Sequence, residues 1–405
     1  MSATANVKKT SGKSMRNVKR ENRSLLLTQL YFQGRKSRTS LARELRLTPA
    51  SITQTIGSMI REGIVVETDA YASDAGMGRR QQFIDLNHAD LHAIGVTITN
   101  DRVRLCISNL RFDCVYEDSW RLESQDAESY ADFFCDKIAF GMLASRLRKD
   151  DIVGIGVTVR GNVDSEHGVS ENSFGLLPEH SAIKAELEGR IGIPVAVDNH
   201  IRSLMTCEAL SSRSYMENSL LIKYGPGIGS AIALDGEIYS GGHSMAGEIG
   251  HMIMDRDGEV CRCGKRGCLE TIASFRAMRA RIRRGDCDSL ATLLRRFEEG
   301  DPEVAAAVAA SIRHLALAIA NMAVLFDPKD IILYGEPFGS GIFLGEFTRE
   351  VGARASELQG LLRVSSRNLL LDRHMACALA VHAFLEAGDI ADLGKPSLPR
   401  VPPAE

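Results

Sequence analysis

The sequence predicts an α/β protein of two unlike parts: a small basic unit of three helices and a β-wing, then a larger body of alternating strands and helices. Three observations carry this expectation. The first 86 residues hold 15 Lys/Arg against 7 Asp/Glu, a net of +8, whereas the remainder stands at −11. Beyond residue 88, short apolar runs alternate with amphipathic segments. His251, Cys261, Cys263 and Cys268 fall within 18 residues, spaced H-x9-C-x-C-x4-C.

At 405 residues the chain is too long for one ordinary domain. Its 44% apolar and 25% charged residues are those of a folded chain. Residues 1–14 form a basic tail and 391–405 a second tail, both expected to be disordered. No run approaches the ~18 consecutive apolar residues of a membrane span, and the polar N-terminus lacks a signal peptide's apolar core. Nine cysteines, an odd number spread thinly outside the cluster, point to reduced thiols and a cytoplasmic setting. A basic first unit on an acidic body calls for a polyanionic partner for the first unit alone.

The first unit spans residues 15–87. A helix over 17–32 places Val18, Leu25, Leu26, Leu30 and Tyr31 on one face and basic residues on the other, and Gly34 breaks it. Ser37 caps a second helix, 38–45, that buries Leu41, Ala42 and Leu45. Thr48 caps a third, with Pro49 at its first position, where the missing N–H costs nothing. Ile52, Ile56, Met59 and Ile60 form its buried stripe. Its opposite face carries Ala50, Ser51, Thr53, Gln54 and Thr55, small hydroxyl and amide groups suited to base edges in a major groove. Gly63 ends the helix, and residues 73–87 read as a hairpin with Arg79 and Arg80 at its tip. The unit resembles a winged helix-turn-helix for double-stranded operator DNA, with Thr48, Ala50, Ser51, Thr53, Gln54, Arg79 and Arg80 as contacts. A helical protein-interaction domain is the alternative; the +8 charge and the Gly-Arg-Arg wing weigh against it.

The body, 88–390, has strand-like runs at 93–98, 103–108, 152–159, 195–197, 219–222, 230–234 and 331–333. Helices fit 127–147, 201–211, 274–283, 302–325 and 374–387. Roughly 300 residues of this pattern make two lobes. Within the second, His251, Cys261, Cys263 and Cys268 suit a closed tetrahedral shell for structural Zn²⁺. Gly264 and Gly267 let the chain turn tightly enough for three sulfurs to meet one ion. Unrelated thiols beside a core histidine are the alternative.

GEIGH at 247–251, followed by CRCGKRGCLE at 261–270, makes the body resemble the ROK family of repressors, open reading frames and sugar kinases. The winged unit ahead of it matches the family's regulator branch. The resemblance implies an actin-like, RNase-H-like sugar-kinase fold of two lobes around a sugar cleft, with a zinc knuckle. It implies sugar contacts at Gly161, Asn172, Asn199, Glu248, His251 and Glu270. The family's usual proline before Gly161 is Arg160 here.

Phosphoryl transfer needs a base for the hydroxyl proton and glycine-rich backbone around the phosphates. The family's base follows the asparagine of an Asn-Asp pair; here Asn199 is followed by His200, and Asp198 precedes. The first phosphate loop, Asp-x-Gly-Gly-Thr in the kinases, is Thr97, Ile98, Thr99, Asn100 and Asp101. Only the second loop, GPGIG at 225–229, keeps its glycines. The expectation is a non-enzymatic sugar-responsive regulator, in the form of a repressor working as a homodimer or homotetramer. An active kinase with a DNA-binding appendage, and a body that binds a protein instead of a sugar, are the competing readings.

Overall fold

The computed structural model describes residues 15–68, 82–99, 102–122, 127–212, 216–282, 287–365 and 371–388. Two compact units emerge: residues up to Leu91 together with those from Ala383 onward, and residues His92–His382.

The first unit opens with helix α1 (Met15–Gln33), stopped by Gly34 at φ +75°. Strand β1 (Lys36–Ser37) leads into α2 (Arg38–Glu44), whose Ser37 cap accepts from the Ser40 N–H. Thr48 caps α3 (Pro49–Arg61) by accepting from Ser51 N–H, with Pro49 in the first turn. Strands β2 (Val65–Thr68) and β3 (Phe83–Leu86) pair antiparallel, Val65 opposite Leu86, and β1 joins β3 on its other edge. Residues 69–81, which include Arg79 and Arg80, lie outside the described residues.

On α1, two side chains depart from the expected pattern. Val18 is exposed, whereas Arg23, expected on the basic face, is only 2% exposed. Arg23 Nη1 donates to Glu62 Oε1 at 2.9 Å and to Ser58 Oγ at 3.0 Å, and its Nε donates to the Gly388 carbonyl at 2.5 Å. Burial alone would raise the Glu62 pKa; hydrogen bonds and charge from Arg23 outweigh it and hold the carboxyl below its usual value. Thr55 also departs: it is buried with Ile52, Ile56 and Met59 rather than facing out. The i, i+3, i+4, i+7 stripe runs through it.

The second unit repeats one plan twice. Its first lobe has β4 (His92–Thr99), β5 (Arg102–Asn109) and β6 (Cys114–Arg121) as an antiparallel meander, then α4 (Ala127–Ala144) and β7 (Ile152–Val159). A small hairpin of β8 (Asn162–Asp164) and β9 (Val169–Asn172) precedes α5 (Ile183–Ile191), β10 (Val195–Asn199) and α6 (His200–Ser212). The sheet order is β10-β7-β4-β5-β6, with β7 parallel to both β4 and β10. The second lobe has the meander β11 (Ser219–Tyr224), β12 (Ile228–Leu234) and β13 (Glu237–Ile238), then α7 (Leu269–Ala273), α8 (Phe275–Arg281), α9 (Leu290–Glu298) and α10 (Pro302–Phe326). It continues through β14 (Asp330–Tyr334), α11 (Gly341–Gly352), β15 (Leu362–Val364) and α12 (Leu371–Ala387). Its order, β13-β12-β11-β14-β15, again joins an antiparallel meander to parallel strands through the meander's first strand.

Each lobe buries its own core: Ile94, Val96, Ile155, Val157 and Val195 with α4 and α5 residues in one, Leu220, Ile222, Leu293, Ile319 and Phe347 in the other. Helix α10 is long and apolar enough by composition to cross a membrane, yet half of its most apolar window is buried, and Leu315, Ala316 and Ile319 sit in the second core. Helix α12 lies against β4 and β7 because neither Gly95 nor Gly156 has a side chain. A Cβ at Gly156 would stand 1.9 Å from the Ala376 carbonyl oxygen, and one at Gly95 2.6 Å from the Cys377 nitrogen. Backbone cannot yield as a flexible side chain can, so Gly156→Ala is expected to destabilise by ~1–3 kcal/mol or more. Urea unfolding measures it, and an unchanged midpoint would refute the close packing of α12.

Candidate functional site

The candidate site is the cleft between the two lobes of the second unit. Strands β7 and β10 run in parallel register, Val159 beside Asn199, so their ends deliver Arg160, Gly161 and His200 to one place. Gly161 has φ +97°, and a Cβ there would meet the Asn172 carbonyl oxygen at 2.0 Å. Only glycine fits. Asn199 fixes this floor: its Nδ2 donates to the Gly161 carbonyl at 2.5 Å, while its Oδ1 accepts from Ile201 N–H at 2.7 Å and caps α6. Asn172 Oδ1 accepts from Phe174 N–H at 2.9 Å and its Nδ2 donates to Glu179 at 3.2 Å. The three predicted floor residues therefore lie together.

The neighbouring carboxylate is already engaged. Asp198 is buried and accepts from Arg202 Nε at 2.7 Å; Arg202 also donates to the Val163 carbonyl at 2.8 Å and the Ser244 carbonyl at 3.1 Å. The sequence reading missed Arg202, although its i+4 spacing from Asp198 is the signal of such a pair. His200, which directly follows Asn199, has a buried Nδ1 with no hydrogen-bond partner. Burial, with Lys223 and Arg160 adding to it, pushes His200 well below the ordinary imidazole range. Thr97 and Thr99 belong to β4, where Thr158 Oγ1 donates to Thr97 Oγ1 at 3.3 Å; residues 100 and 101 lie outside the described residues.

The opposite wall comes from residues 247–270. Gly247 has φ +81°, and a Cβ there would stand 2.6 Å from the Ser230 carbonyl oxygen, so the chain runs flush against β12. Glu248 and His251 follow, with His251 Nε2 3.9 Å from Glu248 Oε2. Desolvation raises Glu248 above the usual carboxylate range, the His251 ring opposing it. Glu270, in the first turn of α7, accepts from Ile228 N–H at 3.4 Å and lies 3.5 Å from Arg262 Nη2. Glu270 Oε2 is 3.5 Å from where a Cβ of Gly227 would be, so the second phosphate-type loop abuts it.

Four donor atoms of this wall converge. The ligand atoms of His251, Cys261, Cys263 and Cys268 all lie within 4.8 Å of one another. Cys261 Sγ is 3.5 Å from His251 Nδ1, and Cys263 Sγ is 3.6 Å from Cys268 Sγ. Around a tetrahedral ion with metal–sulfur bonds of about 2.3 Å and metal–nitrogen bonds of about 2.0 Å, the edges are about 3.8 Å and 3.5 Å. The set can hold a metal ion. Gly267 makes the fold-back possible at φ +66°: a Cβ there would overlap the Asp255 carbonyl oxygen at 1.5 Å. Burial and the neighbouring Cys263 and Cys261 thiols push Cys268 up to about 12, because clustered thiolates need a cation among them to ionise together.

On the first unit, Ala50, Thr53 and Gln54 are exposed on α3 and Thr48 caps it. Ser51 turns partly inward, its Oγ accepting from Asn22 Nδ2 at 3.4 Å.

A duplicated mixed sheet, a cleft with an Asn-Gly floor, and a His-Cys₃ wall define a sugar-kinase-like α/β protein. Residues 93–353 match the ROK family, and the chain belongs to it, in the branch of its transcriptional regulators. The chain is 28% identical over 332 residues, 79% of its length and 81% of the relative's, to the DNA-binding transcriptional dual regulator NagC of Escherichia coli. It is 24% identical to the xylose repressor of Caldicellulosiruptor bescii, covering 82% of this chain and 88% of that one. Its fold matches a ROK transcriptional regulator homologous to the E. coli MLC protein, with TM-score 0.80, 24% identity, and coverage of 91% and 97%. A Streptomyces griseus ROK glucokinase solved with glucose and AMPPNP matches at TM-score 0.59 and 20% identity, covering 71% of this chain and 98% of that one.

Asn199 carries two structural hydrogen bonds with one side chain. Asn199→Ala is expected to cost ~1–2 kcal/mol, the range for a lost helix cap. It should also raise the apparent Kd for sugar, because the Gly161 carbonyl loses its tether. Thermal unfolding with and without sugar measures both, and an unchanged Tm would contradict the capping role.

Proposed function

We propose that this protein is a sugar-responsive transcriptional regulator, a repressor of genes for carbohydrate uptake or metabolism, whose kinase-type body senses a sugar without phosphorylating it. One observation carries the reading: beside the residues we assign to the sugar, the groups that could take a proton are engaged or desolvated. Gly161, Asn172, Asn199, Glu248, His251 and Glu270 are the residues we read as sugar contacts, while Asp198 is locked to Arg202 and His200, at the place we read as the kinases' base, is desolvated. A carboxylate neutralised by a buried guanidinium is a poor proton acceptor. The regulators and repressors among the relatives support the same assignment.

The first unit is read as a winged helix-turn-helix, with α3 in the major groove. Thr48, Ala50, Ser51, Thr53 and Gln54 face the bases, and Arg79 and Arg80 on the wing reach the backbone. The regulator-type match that spans 91% of the chain supports this. Two copies set about one helical turn apart read a pseudo-palindrome, which calls for a homodimer or homotetramer. Exposed Leu317, Val324 and Leu325 on α10 offer apolar surface for such assembly. The protein works beside the DNA, in the cytoplasm.

The metal is read as one structural Zn²⁺ per chain, held by His251, Cys261, Cys263 and Cys268. A His-Cys₃ set with tetrahedral edge lengths fits that ion. When bound, it supplies charge neutralisation for the thiolates and fixes the His251 ring, whose other nitrogen then faces sugar.

On operator DNA selected from genomic fragments by the full-length protein, Gln54→Ala should weaken binding by the ~1–3 kcal/mol of a bidentate base contact. Its affinity for unrelated DNA should not change. Mobility-shift titrations report both numbers, and unchanged operator affinity would remove α3 from the groove. Elemental analysis of freshly reduced protein should find about one zinc per chain, lost in Cys263→Ser together with the sugar-induced shift in Tm. A zinc-free wild type would sink the metal assignment.

A further inference from the structure

Three thiols, an imidazole and a hydroxyl gather on the face of the first lobe's sheet that α12 covers. Along β5, Val103, Leu105 and Ile107 enter the first core, so Cys106 and Ser108 point to the opposite face. Cys106 pairs with Gly95 on β4, and that glycine makes room for α12: a Cβ there would stand 2.9 Å from Cys377 Sγ. Cys377 is buried, and its thiol donates to the Cys106 carbonyl at 3.3 Å. His374, one turn earlier on α12 and also buried, brings Nδ1 to 3.8 Å from Cys106 Sγ. From β6, Cys114 brings its Sγ to 3.8 Å from the same sulfur. Cys106 is the hub of the group.

Two observations set this group apart from ordinary packing. Ser108 is fully buried, yet its Oγ has no hydrogen-bond partner. It shares a face with Cys106 and stands opposite Cys114 across the ladder, so an unanswered polar atom lies beside the sulfurs. The spacing, moreover, is that of ligands and not of a disulfide. The bulge after Ile107 sets Cys114 opposite Ser108, which makes it a diagonal neighbour of Cys106. Diagonal neighbours stand about 7–8 Å apart, beyond the Cα span of about 4.4–6.8 Å that a disulfide bridges. Sulfurs 3.8 Å apart instead match the edge of about 3.8 Å around an ion bound by thiolates. The carboxylate opposite Cys106, Glu117, is engaged in an ion pair with Arg373 at 3.0 Å. The donors left are sulfur and nitrogen, a soft set that favours Cu⁺ or Zn²⁺ over Mg²⁺.

We propose that Cys106, Cys114, His374 and Cys377 form a second metal site, separate from the His251 cluster, for a soft or borderline cation of the Cu⁺ or Zn²⁺ class. Each thiol that ligates gives its proton to water, and the imidazole binds in its neutral form. Cys114, exposed on the edge strand, is where the ion enters. Once held, the ion clips the first turns of α12 to β5 and β6, within the body.

The reduced full-length protein, with the metal it carries from purification, is dialysed without oxygen against Zn²⁺, Cu⁺ or Mg²⁺ and submitted to elemental analysis. Zn²⁺ or Cu⁺ should add about one ion per chain and Mg²⁺ none, and the first two arms tell which cation is preferred. Alkylation by iodoacetamide, read at Cys114 by peptide mass spectrometry, should slow roughly tenfold or more once that ion is bound, because a ligating thiolate is no longer a free nucleophile. This measurement needs no variant and locates the ion away from the His251 cluster. Cys114→Ser and His374→Gln should each weaken uptake of the added ion by roughly tenfold or more, and leave the metal from purification in place. No added ion, an added ion that leaves Cys114 alkylation unchanged, or uptake by both variants equal to that of the wild type would overturn the proposal. A Cys106–Cys114 disulfide in protein that takes up no ion would overturn it too, and would make the pair a redox couple.

Discussion

Three sulfurs and an imidazole nitrogen packed within 4.8 Å of one another set the terms for the whole segment from residue 247 to 270. The segment that carries them has little regular structure to hold it: a single short turn at residues 249–251, two isolated bridges, and the five-residue α7. Its shape depends on donors meeting at a point and on Gly267 passing against Asp255. Metal affinity in such a segment is also folding free energy. Glu248, His251, Arg262 and Glu270 are thus oriented by one shared centre, and the second phosphate-type loop leans on Glu270 in turn.

The other side of the cleft is built on different physics. Arg202 ties Asp198 on β10, the Val163 carbonyl on β8 and the Ser244 carbonyl in the second lobe into one buried network. A buried ion pair of this sort adds little net stability, but removing one partner strands the other. Its consequence here is geometric: the floor, the start of α6 and the facing lobe share one guanidinium. A carboxylate serving as that anchor is a poor proton acceptor.

Much of this was legible in advance. The caps at Ser37 and Thr48, the strands from β4 to β14 with long apolar runs, and α10 all follow patterns that need no tertiary information. The clustering of His251, Cys261, Cys263 and Cys268 was legible because these donors are close in sequence. Polar β6 was not, since an edge strand exposed along most of its length has no apolar signal. Helix α11 was obscured by Gly341, Gly345 and Gly352. Helix α9 is a different case: Leu290, Leu293, Leu294 and Phe297 recur at helical spacing, and the signal was there to be taken. Arg23 and Thr55 were misplaced because a face is inferred from polarity, whereas a distant partner such as Glu62 decides burial. Lys223 and Arg202 matter through residues far along the chain or in the facing lobe, which spacing alone does not reveal.

Helix α12 is divided between the two units: residues up to His382 belong with the body, and those from Ala383 with the first unit, where Arg23 holds the Gly388 carbonyl. A Cβ at Gly388 would stand 2.8 Å from the Arg20 carbonyl oxygen, so the contact with α1 is close. The order of synthesis gives this a meaning of its own. Chains leave the ribosome N-terminus first, and domains generally fold as they emerge. Here the first unit to appear is the last to be finished, because its closing piece is translated after the entire body. A nascent or truncated chain that stops before residue 383 carries an incomplete first unit, whatever its three helices do alone.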